Sequence, residues 1–313
     1  MKKTFFCTFT VSLNAFLRDA LKSLSEFSSL EISNSKIRRL IAAGCVSVNG
    51  RTVTRPGFEL RGKSSVTCEI DIEKFFYEKQ PDDIDFILTE KDVLFEDDFL
   101  IIVNKPAFLP VEQTIVGNRK NLHDCVIDYL WKKNPSLRNP PYAGILHRLD
   151  RETSGVILFT KQRQANKGLF EQFEKHTITK TYLAVISGNV TKKDFTVENT
   201  IGRISSKSQA AKWGSLSESR GGLYAKTSFK ILDSEKKIES GFSIVQCELF
   251  TGRTHQIRVH LSESGFPILG DTLYGGKDFK RIMLHSNRLE FTHPITGEKI
   301  CILADSKDFE DFV

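Results

Sequence analysis

The feature that most limits how this chain can fold is the run Gly155-Val156-Ile157-Leu158-Phe159-Thr160, which follows closely on the charged segment His147-Arg148-Leu149-Asp150-Arg151-Glu152. An almost uninterrupted apolar run entered through Thr153-Ser154-Gly155 reads as a buried strand. The charged segment then stands at the entrance of that strand and sets one carboxylate, Asp150, between two guanidiniums. Opposite charge nearby favours the ionised form of a carboxylate, and an ionised, positioned carboxylate can act as a nucleophile. Taken alone, the segment is better read as a structural ion pair, which is what most Asp-Arg neighbours are.

The surroundings of that strand set the fold class. Phe99 to Val103 is a second compact apolar run ending at Asn104-Lys105-Pro106, while Thr179 to Ser187 and Phe242 to Phe250 alternate as strands. Asn121 can cap a helix to about Trp131 with Leu122, Val126, Ile127 and Leu130 inward, and Ala165 to Phe173 reads as another helix. These elements follow no fixed repeat and no βαβαβ rhythm, so the spacing predicts an α+β architecture. Residues 202–222, rich in Ser, Gly and basic residues around Trp213, read as a mobile loop. Residues 73–84, charged and containing Pro81-Asp82-Asp83, read as a linker.

The first quarter has a different pattern. Leu13, Phe16, Leu17, Ala20, Leu21 and Leu24 recur at helical period. Ser35 can cap a second helix that runs through Ala43 and ends at Gly44. Cys45 to Val48 alternates, Asn49-Gly50 signals a tight turn before Thr52-Val53, and Val66 to Ile72 alternates again. The serine-rich stretch Ser23 to Ser35 reads as a long connection between the two helices. The chain has a net charge of +6, yet residues 1–80 hold 13 Lys/Arg against 8 Asp/Glu, so five of those six charges lie there. Lys36, Arg38, Arg39, Arg51, Arg55, Arg61 and Lys63 cluster against Glu59 alone, a footprint suited to a phosphate backbone.

Other classes are disfavoured. No apolar run reaches the length of a membrane span, and the opening Met1-Lys2-Lys3-Thr4-Phe5-Phe6-Cys7 is interrupted by Asn14, Arg18 and Asp19 too early for a signal peptide. The expectation is a cytoplasmic protein with reduced cysteines at 7, 45, 68, 125, 247 and 301, none spaced Cys-x-x-Cys. His255 and His260 are five apart and so do not share a helical face as a metal pair would; no metal and no cofactor is expected.

The segment His147 to Gly155 resembles the His-Arg-Leu-Asp-x-x-Thr-Ser-Gly motif of the RluA family of RNA pseudouridine synthases. Two further segments follow in the family's order: Lys180-Thr181-Tyr182-Leu183-Ala184, and Thr251-Gly252-Arg253-Thr254-His255-Gln256-Ile257-Arg258-Val259-His260-Leu261 with Gly270-Asp271-Thr272-Leu273-Tyr274-Gly275 behind it. The likeness runs from about Val93 to about Glu298. It implies a pseudouridine synthase fold, α+β, with a central mixed and mostly antiparallel sheet flanked by helices and loops. The first quarter resembles the small αL (S-four-like) RNA-binding domain, whose second helix and following turn face RNA. The domain expectation is therefore 1–75 for that module, 76–92 for a linker and 93–313 for the catalytic domain.

The resemblance also distributes roles. It makes Asp150 the nucleophile beneath the ribose anomeric carbon, pairs Arg253 with it, and packs Tyr182 on the target base, where the hydroxyl can join proton transfer. It gives Arg148 the space vacated by an unstacked uridine or the neighbouring phosphate. Lys36, Arg38, Arg39 and Arg51 fall on the RNA-facing surface, while His147 is expected to orient the loop. Two positions depart from the family's pattern: Phe108 stands where Gly is usual, which argues against a left-handed backbone there, and Glu112-Gln113 stand where His-Pro is usual. The partner implied is RNA, large-subunit ribosomal RNA ahead of transfer RNA, acted on by a monomer. A ribosome-assembly factor without activity is the rival from another class, and the intact Asp150, Tyr182 and Arg253 count against it. A glycoside hydrolase is a third reading, disfavoured because only one carboxylate lies within a motif.

Overall fold

The computed structural model describes residues 2–25, 32–70, 82–113, 119–187, 194–205, 211–232 and 241–312. The chain divides into two compact units. One comprises Met1–Pro81, Gln113–Arg119 and Ser205–Ala211; the other comprises Asp82–Glu112, Lys120–Ile204 and Lys212–Val313.

In the first unit, strands β1 (Lys2–Cys7), β3 (Val46–Val48), β4 (Arg51–Thr52) and β6 (Ser64–Glu69) form an antiparallel sheet in the order β1-β6-β3-β4, and β2 (Val11–Ser12) pairs with β5 (Glu59–Leu60). Helix α1 (Leu13–Lys22) buries Leu13, Leu17 and Leu21, four residues apart and so on one face. Helix α2 (Asn34–Ala42) adds Ile37, Leu40 and Ile41, and both stripes share a core with Val46, Val48, Val66 and Cys68. Each such aliphatic side chain contributes about 1.5–3 kcal/mol when fully buried. The cap of α2 is Ser33, not Ser35: its extended backbone lets the hydroxyl accept from Lys36 N at 3.2 Å, and Ser35 lies within the helix. Asn49 and Gly50 both take positive φ, 49° and 79°, as a tight hairpin turn requires, and Asn49 Oδ1 accepts from Ser65 N at 2.8 Å. Most of the connection between the helices (26–31) and of the expected linker (71–81) lies outside the described residues.

The second unit is built on an eleven-stranded sheet. Its strands are β7 (Val93–Glu96), β8 (Leu100–Lys105), β9 (Gly144–Ile145), β10 (Ser154–Thr160), β11 (Thr179–Ser187), β12 (Asp194–Arg203), β13 (Trp213–Ser215), β14 (Leu223–Leu232), β15 (Phe242–Leu249), β16 (Leu284–Thr292) and β17 (Lys299–Leu303). The order is β13-β12-β14-β15-β11-β16-β10-β8-β7, with β17 on β16 and β9 on β10. Among the described residues these strands pair antiparallel except β10 with β16. Strand β10 is buried along its whole length because both faces are covered. Ile157 and Phe159 join the core that includes Leu122 and Val126 of α3 (Leu122–Lys133). Val156 and Leu158 join a separate core with Ala165 and Leu169 of α4 (Gln164–Glu174). Asn121 caps α3 as expected, accepting from Asp124 N at 3.0 Å.

Three expectations change. Trp213 does not sit in a loop but in β13, whose partner is β12, so edge pairing overrides a sequence poor in strand formers. Residues 82–92 belong to the second unit and are not a linker, since Ile84, Phe86 and Leu88 pack into its core. Phe108 takes the left-handed backbone its bulk argued against, with φ 64°. Its ring lies 5.3 Å from the Arg151 guanidinium, a cation–π contact.

Candidate active site

The loop between β9 and β10 carries Asp150. Leu149 anchors it by burial, and Thr153 N donates to Asp150 O at 3.1 Å, closing the turn. Strand β10 then runs into β16 at Gly155, where φ is +114° and an added Cβ would stand 2.1 Å from Ser286 O. Only glycine allows that approach, and the approach fixes the loop over the sheet. Lys105, fully buried at the end of β8, ties the loop from beneath. Its ammonium donates to Pro106 O (2.9 Å), Leu109 O (2.7 Å) and Arg151 O (3.0 Å). Burial pushes this lysine down to about 7 despite the nearby charges of Glu152 and Asp150. His147 also supports the loop: Leu158 N donates to its Nε2 at 3.1 Å, and desolvation with the charge of Lys180 pushes it down to about 3, so the ring stays neutral.

The two arginines beside Asp150 in sequence turn away from it. Arg148 is exposed and binds Glu112 Oε1 at 2.7 Å. Arg151 binds Asp83 at 2.7 Å, Glu152 at 2.9 Å and also Asp82. Nor does Arg253 make the expected pair. Its Nε donates to the carbonyl of Tyr224 at 2.8 Å, on the surface. The guanidinium that faces Asp150 is Arg258, with Nη1 3.6 Å from Oδ2. The reason is a helix that the sequence pattern did not reveal, α5 (Gln256–Glu263). Gln256 fixes its start, accepting from Thr251 Oγ1 (2.7 Å) and Arg253 N (3.0 Å) and donating to Lys226 O (2.9 Å). Arg258 therefore lies in the first turn, buried, and a fork of two bonds to Asp271 (2.7 and 2.9 Å) fixes it. Burial opposes its charge, but Asp271 and Asp150 outweigh burial and the pKa is raised.

His255, next to that helix, brings Nε2 to 4.0 Å from the same Oδ2. Burial lowers its pKa against the pull of Asp150. Tyr182 on β11 is buried, and burial, joined by the charge of Asp150, raises its hydroxyl pKa. Asp150 itself keeps 24% of its side-chain surface open, so a solute can reach the carboxylate. The arrangement presents one positioned carboxylate with a guanidinium and an imidazole facing one oxygen and a buried phenol nearby. Among the described residues no group of His, Cys, Asp and Glu suits a metal ion. Arg258, His255 and Asp271 were legible only as parts of a motif. A further signal for Arg258 is its burial, since a buried arginine must be paired.

In the first unit, Arg38 and Arg51 are exposed, and Lys36 and Arg39 are partly so. Asn34, Arg38, Arg39, Ala42 and Pro56 line an open depression of about 570 Å³. Among the described residues no helix is long and apolar enough to cross a membrane.

Residues 99–263, more than half of the chain, match the family model described as RNA pseudouridylate synthase, and residues 28–66 match that of the S4 domain. An uncharacterized RNA pseudouridine synthase of Bacillus subtilis, YhcT, is 41% identical over 216 residues, covering 67% of each chain. The ribosomal large subunit pseudouridine synthase D of Zymomonas mobilis is 31% identical over 281 residues, covering 86% of this chain and 84% of its own. The human RNA pseudouridylate synthase domain containing 4 shares the fold with a TM-score of 0.57 at 23% identity, over 70% of this chain and 90% of its own. With these matches beside a carboxylate held as described, the chain belongs to the RluA family of RNA pseudouridine synthases, isomerases acting on RNA, and carries an S4 domain in its N-terminal quarter.

Proposed function

We propose that this enzyme isomerises specific uridines of large-subunit ribosomal RNA, with Asp150 as the nucleophile. The observation that carries the assignment is the pair of groups on Asp150 Oδ2, Arg258 at 3.6 Å and His255 at 4.0 Å, which leaves Oδ1 for the substrate. A lone pair of Oδ1 forms the bond to the anomeric carbon while the electron pair of the glycosidic bond leaves with uracil. The uracil anion turns, its carbon five attacks the same carbon, and the carboxylate departs. Carbon five then loses its proton and nitrogen one gains one, so atoms and charges balance without a cofactor. Tyr182 packs on the base. Arg258 takes the pairing role that the resemblance gives to Arg253, and Arg253 stays at the rim with Arg148 as a contact for RNA phosphate.

Residues 1–75 form the RNA-binding domain, with Lys36, Arg38, Arg39 and Arg51 on its phosphate-facing side, and the catalytic domain starts at Asp82. The names of the relatives that act on the large ribosomal subunit support that target, and a target of that kind fits a monomeric enzyme in the cytoplasm. Carbodiimide mapping of pseudouridine in cells with and without the gene tests the reading. The expected result is loss of defined signals in large-subunit RNA, restored by wild type but not by Asp150→Asn. Loss in transfer RNA alone overturns the target, and full rescue by Asp150→Asn overturns the mechanism.

A further inference from the structure

Both groups that face Asp150 rest on one side chain, Tyr274. Its ring lies 5.0 Å from the Arg258 guanidinium, whose fork is held by Asp271. Its hydroxyl meets His255 Nδ1 at 2.9 Å, with the two rings edge to face at 5.6 Å. The same hydroxyl accepts from Trp213 N at 2.9 Å. A phenol has one proton to give. With the backbone N–H of Trp213 already pointing into the oxygen, that proton is free to go to His255 Nδ1. A neutral imidazole that accepts at Nδ1 carries its own proton on Nε2, and Nε2 is the atom turned toward Asp150. His255 is also held in a left-handed backbone, φ 56° and ψ 21°, which is strained for a non-glycine residue. Strain of this kind persists where the surroundings over-determine it, commonly at functional sites.

We propose that Tyr274 is a positioning residue of this enzyme: pinned by Trp213, it fixes the tautomer of His255 so that Nε2–H and Arg258 together hold Asp150 Oδ2 and leave Oδ1 to attack. The proposal rests on Asp150 being the nucleophile. Distances of 3.6 and 4.0 Å are those of a resting site, and such contacts tighten when substrate arrives. The charged and titratable groups around the imidazole are Asp150 and Glu152 from the catalytic loop, Arg258 on α5, and Asp271 and Tyr274 on the segment after it; the ammonium of Lys212 lies 5.7 Å from the Tyr274 ring. Desolvation outweighs the three carboxylates, so the ring is neutral near pH 7 and its tautomer matters.

The test is Tyr274→Phe, which keeps the ring beside Arg258 and removes only the hydroxyl. Single-turnover kcat on a uridine-containing RNA should fall about tenfold to a hundredfold, the scale of losing an aligned catalytic hydrogen bond, with the RNA dissociation constant unchanged. The His255 pKa, followed by the pH dependence of its ring resonances, should move up, because the bond that favoured the neutral ring is gone. Side-chain ¹H–¹⁵N correlation spectra, with His255→Gln supplying the assignment, should show an unprotonated Nδ1 in the wild type and a changed pattern in Tyr274→Phe. A protonated Nδ1 in the wild type, or a kcat within about threefold of wild type in Tyr274→Phe, overturns the proposal. Asp150→Asn in the same assay separates the two claims. If it is inactive while Tyr274→Phe is unaffected, only the positioning role falls; if it is active, the nucleophile assignment falls as well.

Discussion

Replacing Arg258 by lysine is the most demanding test of the site geometry, because it preserves charge and removes only the fork. Arg258 now makes two charge-assisted bonds to Asp271, at 2.7 and 2.9 Å, and still places Nη1 3.6 Å from Asp150. An ammonium can reach one of the two carboxylates well, not both. Losing one buried charge-assisted bond costs about 1.5–3 kcal/mol. For a unit of this size that lowers Tm by roughly 3–12 °C, at about 2–4 °C per kcal/mol. Once the ammonium settles on Asp271, Asp150 loses its partner, and a displacement of about 1 Å in such a group costs on the order of a hundredfold in rate. Differential scanning fluorimetry and release of tritium from carbon five of labelled uridine in RNA measure the two effects. Arg253→Lys is the contrast: its guanidinium binds the Tyr224 carbonyl at the surface, so its Tm should stay within roughly 2 °C of wild type. If Arg258→Lys melts with the wild type and turns over within about threefold of it, Arg258 is not the partner of Asp150.

Gly155→Ala should cost more than about 3 kcal/mol, since both the backbone sign and the 2.1 Å approach to Ser286 O forbid a side chain; a thermal melt equal to wild type contradicts it. Lys105 should make the fold more stable as pH rises. Its proton is held up to 10.5 in the unfolded chain but only to about 7 in the folded one, so the unfolded state binds more protons between those values. Urea titrations from neutral to alkaline pH should show this rise in the wild type, and its loss relative to wild type in Lys105→Met. Charge reversal at Arg38 and Arg39 should weaken RNA binding and reduce the salt slope by about 0.9 for each phosphate that is no longer neutralised; an unchanged slope in filter binding removes that face from the interface.

How much of this was written legibly in the sequence depends on how local the cause was. The Asn49-Gly50 turn, the Asn121 cap and the apolar run of β10 are set by residues within a few positions, and each stands where the pattern put it. Helix α5 was hidden because it is short and buried from Gln256 through Leu261, which erases any amphipathic stripe. The identity of the guanidinium on Asp150 followed from that omission. Arg148 and Arg151 are its neighbours in sequence, but residues along an irregular loop need not share a side, and their partners Glu112 and Asp83 lie 36 and 68 positions away. Strand β13 was missed for a similar reason: three residues, Trp213-Gly214-Ser215, become a strand only because β12 offers an edge.

Strand β16 has a consequence for the order in which the enzyme comes into being. It pairs with both β10 and β11, and it meets β10, in parallel, some 130 residues later in the chain. Loop closure over such a span is slow, and it precedes any reward from the contacts it brings. On the ribosome the loop of Asp150 emerges long before Arg258, Asp271 and the strand that Gly155 rests against. A nascent chain therefore holds Asp150 without the groups that face it in the folded unit. The constellation around Asp150 therefore closes only once α5, Asp271 and β16 have all been synthesised.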